Sequence, residues 1–330
     1  MIDMDFSLPN PTQIAVPLFI AAIVLEIWIV RTKSRDSYDP RDTFTSLALG
    51  LGSTIAGALS GGFFLAIAFA VYEFRIFDAG PEWWAIWWAW PLAFVLDDLA
   101  YYWKHRLGHR VRWMWAAHVI HHSSQHYNLS TALRQTWTGA LTPGFLISLP
   151  LFLLGFHPLM VAFAGGLNLV YQFWIHTETI NKMPRWFEWA LNTPSHHRVH
   201  HATNPRYLDS NYAGVFMFWD RMFGTFTPEA DGETDVETDV EEIRYGIVQQ
   251  LGSFNVFWAA FHEWIGLAQD IIAAPDWKAR ANYLVKPPGW THDDSRETSD
   301  SLKARWHAER ERGSAAQPSA APNTVIEPAE

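Results

Sequence analysis

Eight histidines fall into three short clusters of nearly the same spacing: His105 and His109 (HxxxH), His118, His121 and His122 (HxxHH), and His197, His200 and His201 (HxxHH). Positions i, i+3 and i+4 share one face of a helix, so each cluster can aim its rings at one point. Neutral imidazole is the commonest protein metal ligand. Rings buried without partners would cost free energy, and protonated neighbours would repel. The chain must therefore bring three helix faces together around a shared polar centre. That many imidazoles exceed what one octahedral ion or one tetrahedral zinc can use, so two metals are the economical reading.

The chain has no cysteine, which excludes disulfides, zinc–thiolate sites and iron–sulfur clusters. An all-imidazole site suits iron, zinc, copper or nickel. Net charge of -10 argues against nucleic acid as a partner, although much of the acid is local, in residues 229–242. That acidic stretch is expected to be a solvated loop.

Five apolar runs, at residues 14–30, 44–71, 83–95, 141–156 and 158–175, predict an all-α integral-membrane bundle. The 19 tryptophans suit membrane interfaces. The first run is broken only by Glu26 and has neither a basic segment before it nor a small-residue cleavage site, so it is not read as a signal peptide. The last two runs, separated by His157 and Pro158, predict a hairpin. Basic residues cluster after the first run (Arg31, Lys33, Arg35, Arg41), around the first histidine pair (Lys104, Arg106, Arg110, Arg112) and after the fifth run (Lys182, Arg185). The positive-inside rule then places all three histidine clusters on the cytoplasmic side and the N-terminus opposite, with five crossings. The expected organisation is residues 1–97 as N-terminal membrane helices, 98–227 as the catalytic unit with its hairpin, 228–309 as acidic loop and C-terminal helical segment, and 310–330 as a disordered tail. Residues 254–272 predict a helix, either interfacial or buried.

Asp98, Tyr102, His105 and His109 lie at i, i+4, i+7 and i+11, one stripe of a continuous helix, with Arg106 and Arg110 on another face. Asp98 and Glu178 are candidates for orienting ligating imidazoles through hydrogen bonds. His196 points about 100° away from His197 on a helix, which suits a supporting role rather than ligation. His126 would join the second cluster only if its helix continued past Ser123 and Ser124. His157, His262, His292 and His307 are not expected to be ligands. Asp220 and Arg221 predict an ion pair, and Phe223-Gly224-Thr225 a turn, that lock the histidine-bearing helices.

Beyond the histidines, DLAYYWKHR (residues 98–106) resembles the D-x-x-Y-Y-W-x-H-R signature of the fatty acid hydroxylase/sterol desaturase superfamily of membrane di-iron oxygenases. Residues 115–135, 192–201 and 211–226 are similar to its alkylglycerol monooxygenase branch. That resemblance implies an all-α membrane protein whose cytoplasmic helical cap holds two iron ions on the eight cluster histidines. His176, at the cytoplasmic end of the fifth run, is then the ninth ligand. Gln172 stands where some relatives place a further histidine, and Arg110 where that branch has an acidic residue. The activity implied is O₂-dependent hydroxylation of a lipid C–H bond. The substrate enters from the bilayer, and electrons come from a separate protein or reduced cofactor, since His157-Pro158 is not followed by the glycines of a cytochrome b5 haem motif. Lipid desaturation at the same centre, a zinc-dependent membrane lipid hydrolase, and a non-enzymatic metal- or haem-binding membrane protein are the alternatives.

Overall fold

The computed structural model describes residues 8–33, 37–80, 82–230 and 242–316, which are helical apart from loops and one isolated bridge, Leu191 with Phe216. Helix α1 (Pro11–Thr32) begins at Asn10, whose Oδ1 accepts from the Thr12 and Gln13 amides. Helix α2 (Pro40–Tyr72) begins at Asp39, which caps Arg41 and Asp42 in the same way. Each has proline at its first position, where no amide donor is needed. At 1.5 Å per residue the two helices extend about 33 and 50 Å, enough to cross the hydrocarbon of a bilayer. Their outer faces are apolar and bare: Leu18 is 71% exposed and Leu59 83%. Exposed apolar surfaces of that extent suit a membrane.

The third apolar run is not a single span. Residues 83–85 form a 3-10 turn, and helix α3 (Ala89–Arg110) starts only after it. The fourth and fifth runs are helical segments joined by a turn. A 3-10 stretch (Pro143–Ser148) leads into α5 (Leu149–Leu154), the chain turns at Gly155 with φ 102°, and α6 (Pro158–Phe173) returns, capped by His157. At 16 residues α6 is about 24 Å long, shorter than a hydrocarbon core. Two helices, rather than five, are therefore long and apolar enough to cross a membrane among the described residues.

Helix α4 (Arg112–His122) follows α3 after the single residue Val111 and folds back against it. Short helices α7 (Arg185–Ala190), α8 (Pro194–His201) and α9 (Phe218–Met222) close the region below α6. Helix α10 (Val256–Ala273) buries Ala259, Ala260 and Leu267 and leaves Phe257 and Ile272 exposed. It is thus half-buried, with an apolar outer face suited to an interface. Buried Arg112 ties α4 to it through Glu263 (2.7 Å) and Asp270 (2.6 Å). Helices α11 (Trp277–Val285) and α12 (Ser299–Ala316) complete the chain described. Helix α12 runs past Arg310, where composition suggested a tail without structure; residues 317–330, like acidic residues 231–241, lie outside the described ones.

Candidate metal centre

Helices α3, α4 and α8 bring their histidines to one place, and His176 joins them from just beyond the end of α6. The nine rings sort into two groups. His105, His109, His118, His122 and His200 form one, and His121, His176, His197 and His201 the other, each with its candidate ligand atoms within 4.8 Å of one another. The two HxxHH boxes are used in opposite senses. The i, i+4 pair of α4, His118 and His122, faces the group of five, and its His121 faces the group of four. On α8 the i, i+4 pair, His197 and His201, faces the group of four, and His200 faces the group of five.

The ring nitrogens have distinct partners. Nδ1 of His105 lies 2.8 Å from the Tyr212 carbonyl, that of His200 2.9 Å from Ser210 O, that of His176 2.8 Å from Gln172 O, and that of His121 3.2 Å from Arg134 O. A carbonyl only accepts, so Nδ1 carries the proton in these four rings and Nε2 keeps its lone pair. The Nε2 atoms then turn on each other: His118 and His122 at 3.1 Å, His121 and His176 at 3.2 Å, His176 and His197 at 3.0 Å, His197 and His201 at 3.2 Å. Nε2 of His105, His109 and His200 is buried with no hydrogen-bond partner. Between His121 and His176, whose Nδ1 protons are both committed to carbonyls, two lone pairs face each other at 3.2 Å and repel unless a cation lies between them. The donor set therefore fits a metal ion in each group.

Burial, aided by neighbouring imidazoles, pushes the pKa of His105, His118, His122, His176, His197, His200 and His201 well below the usual histidine range. Burial lowers that of His121 to about 4. Neutral rings are what metal binding requires.

Asp98 does not touch a histidine. It accepts from the amides of Val215 (2.8 Å) and Phe216 (2.9 Å), from Trp219 Nε1 (3.0 Å) and from Asn168 Nδ2 (2.9 Å). Only glycine fits at 214 beside it, because a Cβ there would lie 2.7 Å from Asp98 Oδ1. Asn168 in turn accepts from Gln172 (2.6 Å), whose carbonyl holds His176, so Asp98 reaches the group of four through two intermediaries. The Gln172 side chain is thus engaged with Asn168. Glu178 accepts from Ser37 (2.8 Å) and also bonds the Tyr245 hydroxyl. His196 is buried beside Thr193 (3.3 Å) and belongs to neither group. His126 lies past the end of α4, which stops at His122. His157 stacks on Trp83 at 4.0 Å, and His262 sits on α10, away from both groups.

The expected Asp220–Arg221 pair is replaced by another arrangement. Asp220 accepts from the amides of Tyr212 and Ala213 (both 2.8 Å) and from Thr225 Oγ1 (2.6 Å), while Arg221 lies 3.7 Å over the Phe226 ring. The turn at Gly224 is present, with φ 70°.

Several supports escaped the sequence reading. Asp209 lies 3.6 Å from His109 Nδ1 and is paired with Arg110 at 2.9 Å. Arg110 also pairs with Asp300, so it is turned away from the rings. Arg134, fully buried, donates to Ile120 O and Ser123 Oγ and pairs with Asp42 of α2 at 3.2 Å. Glu26 of α1 reaches the loop after His176. The polar residues interrupting apolar runs were the available signal, since a buried charge at membrane depth needs partners.

The sequence model of the family described as fatty acid hydroxylase matches residues 90–225. Alkylglycerol monooxygenase of Danio rerio is 38% identical over 284 residues, covering 86% of this chain and 60% of that protein. The Homo sapiens alkylglycerol monooxygenase is 37% identical over 287 residues, with the same shares. An ornithine lipid hydroxylase of Rhizobium tropici is 25% identical over 202 residues, 59% of this chain and 61% of that protein. The chain thus spans 60% of the length of the first two relatives. No solved structure matches it.

Proposed function

We propose that the chain is a member of the fatty acid hydroxylase family, whose sequence model matches residues 90–225, and that it is a membrane-bound, O₂-dependent lipid hydroxylase holding two iron ions on nine histidines. The observation that carries this reading is the convergence of Nε2 atoms into a group of five and a group of four. A bound iron pair supplies the power to activate O₂ toward an unactivated C–H bond.

The chain's own residues do the rest. The carbonyls of Tyr212, Ser210, Gln172 and Arg134 fix the tautomer and tilt of four rings, so that a lone pair is presented to each ion. Burial keeps water from the centre, which protects the reaction from solvent. His118 is only partly buried, unlike the other four rings of its group, and marks the side from which a substrate approaches. The bare apolar faces of α1 and α2 set the protein in a bilayer, the natural source of that substrate. In this reading α1, α2 and α3 each carry the chain from one membrane face to the other, so that the histidine groups lie on the cytoplasmic side and the N-terminus opposite, and α5 and α6 enter the membrane only partway. Electrons come from a separate protein or a reduced cofactor. The names of the relatives favour a lipid with a polar head group, an ether lipid first.

The test pairs metal analysis with lipid mass spectrometry of cells with and without the gene. The expected result is close to two irons per chain and a lipid that gains one oxygen atom only when the gene is present. Loss of two hydrogen atoms instead would identify a desaturase. Activity without O₂ and with zinc alone would replace the reading by a hydrolase, and a haem Soret band on the purified protein would end it.

A further inference from the structure

Helix α1 buries a single stripe, Ala15, Ile23, Glu26 and Val30, while its neighbours Leu25 and Trp28 stand 55% and 64% exposed. A carboxylate in such a helix is expensive and needs a purpose. Glu26 is 3% exposed and fully engaged. Its Oε2 accepts from the Tyr38 hydroxyl (2.5 Å) and the Leu129 amide (2.8 Å), and its Oε1 accepts from the Thr177 hydroxyl.

Two of those donors flank one ring. Thr177 follows His176 directly, and its carbonyl is held from the opposite side by Arg198 of α8 (3.1 Å). Leu129 ends the loop that carries Tyr127. Tyr127 donates to Ile175 O (2.9 Å), and its ring stacks on His176 (5.8 Å, 30°) and lies 5.2 Å from His201. Glu26 therefore grips both walls around His176. Its partners Tyr38, Leu129 and Thr177 bind no ring of the five-histidine group, in which His105, His109 and His200 are held from residues 209–212.

We propose that Glu26, on the lipid-facing helix α1, is a positioning residue for the four-histidine group, holding His176 in place through Thr177 and the loop of Tyr127 and Leu129. The proposal rests on the reading of that group as a metal site. It makes α1 part of the centre rather than only an anchor. It also predicts a chemical preference at position 26. Glutamine can turn its carbonyl oxygen to Leu129 and Tyr38 and its amide to Thr177 Oγ1, which is able to accept. Leucine satisfies none of the three.

The experiment uses the full chain in lipid nanodiscs, loaded anaerobically with Fe²⁺, and counts iron per chain in the wild type, E26L, E26Q and T177V. Expected are two irons in the wild type and E26Q, and half that number in E26L. T177V, which removes the donor to Glu26 together with the local bonds of that hydroxyl to Thr179, is expected to shed one iron faster than the wild type under chelator. Two irons in E26L with wild-type release kinetics would overturn the proposal. So would loss of both irons from E26L and T177V alike, since Glu26 would then support the whole fold. A wild-type protein that bound no metal would instead defeat the reading of the centre itself.

Discussion

Behind His105, His109 and His200 stands one chain segment: the carbonyls of Ser210 and Tyr212 and the carboxylate of Asp209. Behind His121 and His176 stand two helices from outside that region. Asp42 of α2 holds Arg134, whose carbonyl orients His121, and Glu26 of α1 holds the loop beside His176. Both groups lie within residues 90–225, the part that matches the family, but the supports of His105, His109 and His200 lie there too, whereas Asp42 and Glu26 do not. The four-histidine group depends on packing of helices that are otherwise lipid-facing. Three rings of the five-histidine group are thus held from residues 209–212, whereas two rings of the four-histidine group are held by way of α1 and α2.

The largest effects test the partition itself. His200→Ala and His197→Ala are each expected to leave about one metal per chain and to cut activity more than about 100-fold, beyond the range for outer partners. Retention of both metals in either variant would break the assignment. Asp42→Ala comes next. It strands Arg134 as a buried, unpaired charge, at a cost of about 3–5 kcal/mol, and should lower the melting temperature and release one metal before the other in a chelator titration. Asp209→Asn is expected to weaken metal binding about 10–100-fold at the five-histidine group alone. A uniform loss from both groups would mean that the two halves are not separately supported.

Acid sharpens the comparison further. In the metal-free protein the buried rings stay neutral, and His121 does so down to about pH 4, whereas an unfolded histidine titrates near 6.5. The unfolded chain therefore binds more protons between those values, and stability falls as pH drops from about 6.5 toward 4. A calorimetric pH series on apoprotein should show that slope, and metal-loaded protein should resist it until the metal leaves. The smallest effect is expected at Asp300→Asn, which removes the exposed partner of Arg110 and should cost about 0–1 kcal/mol with metal content unchanged.

Much of the centre was legible because its chemistry is carried by residue type and helical spacing. His105, His118, His197 and their neighbours could be grouped from sequence, and His176 added by resemblance. The division into five and four could not, because it depends on how α4 and α8 are rotated against each other. Asp98 was expected beside a histidine and instead caps the Val215–Phe216 turn, a contact made possible by Gly214. Arg221 was expected on Asp220, but three donors from residues 212, 213 and 225 satisfy that carboxylate first. Five apolar runs were read from composition, which does not distinguish a 33-residue helix with bare apolar faces from a 16-residue one that is packed on α3.

His121 and His122 are consecutive, as are His200 and His201, and each member of a pair serves a different group. The gap between the two groups is thereby written into the pitch of two helices. Neither group contains a carboxylate among the described residues, so no shifting bridge sets that gap. A single inserted residue between His118 and His121 would turn the following rings by about 100° and exchange their allegiances. The centre behaves in this respect like a gear mesh. Substitutions around it are graded in their effect, whereas changes of length within α4 or α8 should be all-or-none.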